Sequence, residues 1–365
     1  MLNASKTGSA NAYVNPPDIY ASLVWRRKWF IGLLGLLLLA AVPVCTMFGA
    51  AQISLADITR AILERIAPFL DIHPSELARY IVWDVRLPRV LMAVVAGAGL
   101  AISGAAMQGA LRNPLVSPYT MGVSSAAGFG AALAMVLGAG LSGMAEEGMV
   151  ISNAFFFGLL AALMAYALSR LRSVSPESII LAGIAIMFFF SAGTSLLQYL
   201  ASDDKLRDVV FWLMGNLGKT GWTELLIIGG LSLLALPFLW KFSWDLNTLS
   251  TGDESARSLG TNVNRVRLIC MAIATLVTAG IVSFCGIIGF ICLVAPHITR
   301  MVIGADHRFL LPASALTGSL LLLVADTFAR NIIQPTELPI GILTSLIGVP
   351  FFVYLLLTRK KEYFQ

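Results

Sequence analysis

Apolar runs separated by short polar or charged interruptions fill this chain from residue 29 to residue 358. A helix needs about 20 apolar residues to cross a bilayer. Ten runs come close to or meet that length: about 29–50, 86–110, 118–140, 149–169, 177–201, 222–240, 265–284, 288–303, 309–329 and 338–358. The pattern predicts an all-α polytopic membrane protein with about ten transmembrane helices. Three stretches are too polar to span. Within 51–85, Ser54-x-x-Asp57 reads as a capping box, and Leu55, Ile58, Ile62 and Ile66 follow at helical spacing, so an amphipathic surface helix is expected, stopped by Pro68. Residues 202–221, with Asp203, Asp204, Asp208 and Phe211-Trp212, suit a short interfacial helix. Residues 241–264 form the longest polar stretch on the inner side.

Two of the apolar runs are interrupted. The first follows Arg86-Leu-Pro-Arg89 and a Gly/Ala-rich helix, breaks at Asn113-Pro114-Leu115 and Ser117-Pro118, and resumes with Gly122, Gly128 and Gly130. The second lies at Gly286–Gly289. Small residues let helix backbones approach closely in lipid. A helix broken at membrane depth is tolerated only where protein or a water-filled cavity surrounds it. Met107, Gln108, Asn113, Pro114, Ser117, Gly286 and Gly289 are therefore pathway or gate candidates, with Met107 and Gln108 expected to face a lumen; Asn, Ser and Gly at such breaks are more often packing devices than ligands. Arg89-Val-Leu-Met-Ala-Val, then Ala98-Gly99 and Ser103, is echoed by Arg267-Leu-Ile-Cys-Met-Ala-Ile, then Ala279-Gly280 and Ser283. The first copy starts outside and the second inside, the signature of an inverted internal repeat.

Charge sets the expected orientation. Arg26-Arg27-Lys28 lies between Trp25 and Trp29, the mark of a cytoplasmic membrane boundary, and Arg359-Lys360-Lys361 closes the last run. With both termini inside, 16 of the 25 Lys and Arg residues fall on the cytoplasmic side. Residues 1–28 are expected to form a cytoplasmic tail, 29–358 the transmembrane domain, and 359–365 a second cytoplasmic tail. The polar N-terminus, with no cleavage site behind the first apolar run, does not read as a secretory signal.

Composition agrees: 58% of residues are hydrophobic and 12% charged, against about 25% charged in soluble domains, and the mean hydropathy is +0.83. The net charge of +5 follows from the inside bias, and nucleic-acid binding is not expected. Cys45, Cys270, Cys285 and Cys292 all lie in apolar runs without a CxxC pair, and the three histidines are scattered, so no metal site is proposed. The phosphate-cradling pattern G-x-x-x-x-G-K-[ST] does not occur; if ATP drives this protein, another subunit binds it. An integral-membrane enzyme would need a cluster of nucleophile, base or metal ligands, and none stands out. Asp326 is the main charge within a span. Burying one costs about 2.5–3.5 kcal/mol on insertion scales, and Arg330, four residues on, lies on the same helix face.

Arg86-Leu-Pro-Arg89, Gly104-x-x-Met107-Gln108-Gly109, Asn113-Pro-Leu-x-x-Pro118, Gly122-Val-Ser-Ser-Ala-Ala-Gly128, Gly286-Ile-Ile-Gly289-Phe290, Pro296-His297-x-x-Arg300, Asp306-His307-Arg308 and Glu337-Leu-Pro-Ile-Gly341 together resemble the FecCD family over roughly residues 29–360. These are the inner-membrane permease subunits of type II ABC importers for iron–siderophore complexes, haem and cobalamin. The resemblance implies a second permease subunit, identical or not, with the pathway between the two. It also implies two ATP-binding subunits at the cytoplasmic face, holding ATP and Mg, an extracytoplasmic substrate-binding protein, and no cofactor on this chain. Ala256, Arg257, Ser258, Leu259, Gly260 and Asn262 would form short helices that fit a groove on the ATPase. Arg86, Arg89 and Arg330, at outer helix ends, would meet acidic residues of the binding protein. A ferric siderophore is the expected cargo, with haem or cobalamin next and molybdate a smaller possibility. The rival reading is an ion-coupled secondary transporter working through Asp326.

Overall fold

The central helix of the protein is α4 (Leu87–Ala110), most of whose residues are buried. In this computed structural model, which describes residues 16–49, 51, 53–67, 69, 73–140, 145–170, 175–334 and 336–358, no strand occurs among the described residues. Packed around α4 are α9 (Trp222–Lys241), α12 (Val263–Cys285), α13 (Ile291–Ile303) and α14 (His307–Asn331). A second group, α5 (Val123–Leu137), α6 (Glu146–Arg170) and α7 (Pro176–Leu200), joins the first mainly through α12, while α1 (Pro16–Met47) lies along α14. α15 (Ile340–Thr358) packs on α13 and α14.

Among the described residues, seven helices are long and apolar enough to cross a membrane, and α5, α13 and α15 are shorter apolar helices. Together they coincide with the ten apolar runs. The three polar stretches become short helices: α2 (Leu55–Ile66), α8 (Asp203–Leu213), and the pair α10 (Ser243–Leu249) and α11 (Asp253–Ser258). Ser54 caps α2 by accepting from the Asp57 amide at 3.1 Å and donating to the Asp57 carboxylate at 2.8 Å. Pro68 lies outside the described residues.

Two boundaries differ from the sequence pattern. Helix α1 begins at Pro16, so residues 16–28 of the expected cytoplasmic tail are helical; Pro suits a first helical turn, where its missing N–H is no loss. Residues 1–15 and 359–365 lie outside the described residues. The helix expected from 86 begins at Glu76: α3 (Glu76–Tyr80), capped by Ser75, runs through a π-helical turn over Ile81–Arg86 into α4. Charged residues do not stop a helix as Pro does; in a regular α-helix Pro88 would clash with the carbonyl four residues back, and the wider π turn precedes it. This extension is braced sideways. Trp83 donates to the Ala61 carbonyl of α2 at 2.7 Å, and Trp222 donates to the Trp83 carbonyl at 2.9 Å.

Small residues set the closest helix contacts. A Cβ on Gly97 would overlap the Gly318 carbonyl, and one on Gly104 would overlap the Cys292 carbonyl. The second contact has a topological consequence. Cys292 is the second residue of α13, yet it touches α4 more than a turn before α4 ends. The chain therefore descends in open form through residues 286–290 before α13 begins. The first break behaves likewise: after α4, residues 111–121 turn back, and α5 starts just after its cap Gly122 (φ 80°), which lies against Ile186 in the middle of α7. Each short helix thus follows a long helix and a break, and each starts from a left-handed residue, Gly122 or Phe290 (φ 66°). This long helix–break–short helix unit, seen in α4–α5 and again in α12–α13, is the structural form of the internal repeat. The breaks touch: the Tyr119 hydroxyl donates to the Ile288 carbonyl. Val116, Ser117 and Ile288 are buried, as irregular backbone at membrane depth requires.

Candidate functional site

At the face carrying α2 and α8, the three expected docking arginines are drawn into the protein. Arg86, Arg89 and Arg330 are 4%, 7% and 3% exposed. Helix α1 ends at Met47 and leaves its last carbonyls without helical partners. Arg86 donates to the carbonyls of Thr46 (3.2 Å), Met47 (3.0 Å) and Ala51 (2.5 Å), and Arg330 to those of Phe48 (3.2 Å) and Cys45 (3.4 Å). A cation at a helix C-terminus also complements its dipole. Arg89 pairs with Asp326 at 3.0 Å and with Glu337 at 2.7 Å, and Arg330 pairs with Asp326 at 3.0 Å. Asp326, 0% exposed, thus gains the i,i+4 partner read from the sequence and a second one that sequence spacing could not show. These guanidiniums are buried where they join α1, α4 and α14.

The pathway candidates are also occupied. Met107 lies in an apolar core with residues of α6, α7 and α12. Gln108 accepts from Arg300 at 2.9 Å. Both are buried within this chain, Gln108 beneath α13 and Met107 among α6, α7 and α12. The Asn113 side chain accepts from the Leu115 amide at 2.9 Å, the local turn that Asn favours, and Pro114 follows it into the turn. Ser117 starts the 3-10 turn Pro118–Met121, its amide donating to the Thr120 hydroxyl at 3.1 Å. A Cβ on Gly286 (φ 69°) would overlap the Trp212 carbonyl, and a Cβ on Gly289 would lie 3.5 Å from the Ser345 hydroxyl. Beside Gly286, at the α8 end, is a cavity of about 650 Å³ whose wall includes Glu146, Lys205, Asp208, Trp212, Lys219 and Glu224. Among the described residues no group of His, Cys, Asp or Glu could hold a metal ion.

At the opposite face, α10 and α11 form a two-helix elbow. Ala256 is fully buried against the core beneath, so it seats α11 and is not itself a contact surface. Arg257, Ser258, Gly260 and Asn262 are exposed, as is Leu259 at 67%. Gly260 supplies the left-handed turn (φ 88°), and Asn262 caps α12 by accepting from the Arg265 amide at 3.1 Å. Two anchors that sequence reading missed hold the elbow from behind. Asn247 on α10 donates to Asp306 at 2.9 Å and accepts from the His307 amide at 2.8 Å. Asp253 on α11 meets Arg112 and Arg267. Asp306 also binds Arg27 at 3.1 Å and Arg308 at 2.6 Å. Partial burial opposes its ionisation, but the hydrogen bonds from Arg308 and Asn247 outweigh this and bring the carboxyl down to about 2. Spacing along the chain held no signal for these long-range pairs.

A many-spanned helical bundle with two buried breaks and a polar elbow on one face defines a membrane permease. A family model described as the FecCD transport family matches residues 36–358. The chain belongs to that family. It is 47% identical to an ABC transporter permease protein of Methanocaldococcus jannaschii, over 77% of this chain and 83% of that one. It is 41% identical to the hemin transport system permease protein of Yersinia pestis, over 78% and 86%. An inward-facing structure of a metal-chelate type ABC transporter superposes with a TM-score of 0.78 at 34% identity, over 91% of this chain and 99% of that one.

Proposed function

We propose that this chain forms the pathway of an ATP-driven importer for an iron chelate, a ferric siderophore or haem, delivered by a substrate-binding protein. The elbow carries the reading: a polar surface, exposed from Arg257 to Gly260 and anchored from behind through Asn247 and Asp253, suits a cytoplasmic ATPase subunit, and the sequence has no nucleotide-binding loop of its own. The hemin-permease relative and the metal-chelate neighbour support the cargo class. Two permease subunits would enclose the pathway, with two ATPases at the elbow face. The elbow face and both termini are cytoplasmic in this reading, in keeping with the Lys/Arg bias. The binding protein would meet the α2–α8 face through exposed groups such as Arg60 and Arg79, since Arg86, Arg89 and Arg330 are spent internally. The ion-coupled alternative loses its main support, because Asp326 is held between two arginines.

Co-purification tests this. When the chain is expressed with its neighbouring genes and purified by a tag, an ATP-hydrolysing subunit should accompany it. That subunit should be lost when residues 257–262 are replaced by a Gly/Ser linker. Purification of the chain alone, with uptake into liposomes in the absence of ATP, would overturn the proposal.

A further inference from the structure

Both carboxylate oxygens of Asp253, the first residue of α11, accept from Nη2 of Arg267, at 3.1 and 3.2 Å. Nη2 of Arg112 lies 3.3 Å from Oδ1 of the same carboxylate. The two arginines come from the two halves of the chain and belong to the two repeat units. Arg267 is on α12, its side chain has no exposed surface, and its Nε donates to the carbonyl of Ala110, the last residue of α4, at 3.0 Å. Arg112 lies at the head of the first break, in a left-handed backbone (φ 48°) that non-glycine residues seldom adopt. One carboxylate thus holds together α11, the start of α12 and the turn that ends α4.

This junction is continuous with both breaks. From Arg112 the chain passes directly into Asn113–Pro118, then to Tyr119, whose hydroxyl donates to Ile288 inside the second break. Separating Asp253 from a guanidinium with no exposed surface takes a bound carboxylate away from a buried charge, which is unfavourable. A displacement of α11 is therefore resisted at the carboxylate and passes to the arginines instead.

We propose that Asp253 is a positioning residue that couples α11 to the two membrane breaks, so that movement imposed on the elbow by an ATPase reaches the pathway through Arg112 and Arg267. The proposal rests on the importer reading above and adds a residue-level link to it. Asp253 lies outside the exposed patch 257–262, so it acts through its arginines and not through the docking surface.

The test uses the complete reconstituted importer, with ATPase and binding protein, and reads ATP hydrolysed per substrate delivered. Asp253→Asn should raise that ratio at least about fivefold, the lower end of typical coupling effects, and Arg112→Gln should raise it in the same direction. The double variant should be no worse than the more severe single one, since two substitutions in one link are not additive. Asp253→Glu should restore most of the coupling. A merely structural role would lower the amount of folded complex and reduce both rates together, leaving the ratio unchanged. Arg112, whose side chain is 36% exposed, provides the variant less prone to misfolding if Asp253→Asn assembles poorly. A wild-type ratio in both single variants, or additive effects in the double, would overturn the clamp while the importer reading stands. Failure of the wild-type chain to recruit an ATPase would instead overturn the importer reading.

Discussion

Asp326 sits in α14 with no exposed surface and an arginine on either side, Arg89 at 3.0 Å and Arg330 at 3.0 Å. Its removal takes a carboxylate away from both buried guanidiniums and leaves Arg89 its half-exposed partner Glu337. Breaking one partner of a buried pair costs about 3–5 kcal/mol. Asp326→Asn should therefore lower the thermal midpoint of the detergent-solubilised protein, while the fraction that folds keeps ATP-dependent uptake. Normal stability with abolished uptake would instead favour ion coupling. Asp306 gives a pH signature at the other face. Its folded carboxyl ionises at about 2, below the value of about 3.9 for an unfolded aspartate. A depressed carboxyl contributes stability that is present above about pH 4 and lost as pH falls through about 2. The difference in thermal midpoint between the wild type and Asp306→Asn should therefore be constant near neutrality and shrink over that acid interval. A difference that does not change with pH would show that Arg27 and Arg308 do not depend on the Asp306 charge.

Contact between helices is set by glycines whose neighbours are backbone atoms. At Gly104 a methyl group would meet the Cys292 carbonyl, which no side-chain rotation can move aside. Overpacking of this kind costs about 1–3 kcal/mol, so Gly104→Ala should destabilise the protein by that order and separate α4 from α13. Gly229 and Gly230 on α9 have nothing within 4 Å of the corresponding position. Gly229→Ala should then raise stability by up to about 1 kcal/mol through helix propensity alone. Equal thermal midpoints for the two variants would contradict the packing described here. Both glycines lie in apolar helical runs, and the sequence does not distinguish them. Their difference lies in what the rest of the chain brings alongside.

For the whole molecule, the Lys/Arg bias predicts that the elbow face is cytoplasmic. The four native cysteines are buried, so single exposed cysteines can be introduced over a low labelling background. Asp204→Cys, at the start of α8, should react with a membrane-impermeant thiol reagent in intact cells. Ser250→Cys, between α10 and α11, should react only after permeabilisation. The reverse pattern would invert the topology and take the elbow away from any cytoplasmic ATPase.

The sequence by itself determined how many apolar segments there are, where the polar helices α2, α8 and α10–α11 fall, and which runs are broken, because span length, amphipathic spacing and Pro/Gly interruptions are local properties of the chain. It also gave the Asp326–Arg330 pair, whose members are four residues apart on one helix. It could not show that Arg86 and Arg330 cap the end of α1, that Ala256 faces inward while Leu259 faces out, or that Asp253 joins Arg112 to Arg267. Nor could it show that Met107 and Gln108 are enclosed. Each of these depends on helices distant in sequence approaching to within a hydrogen bond, and only the tertiary packing decides which charge meets which.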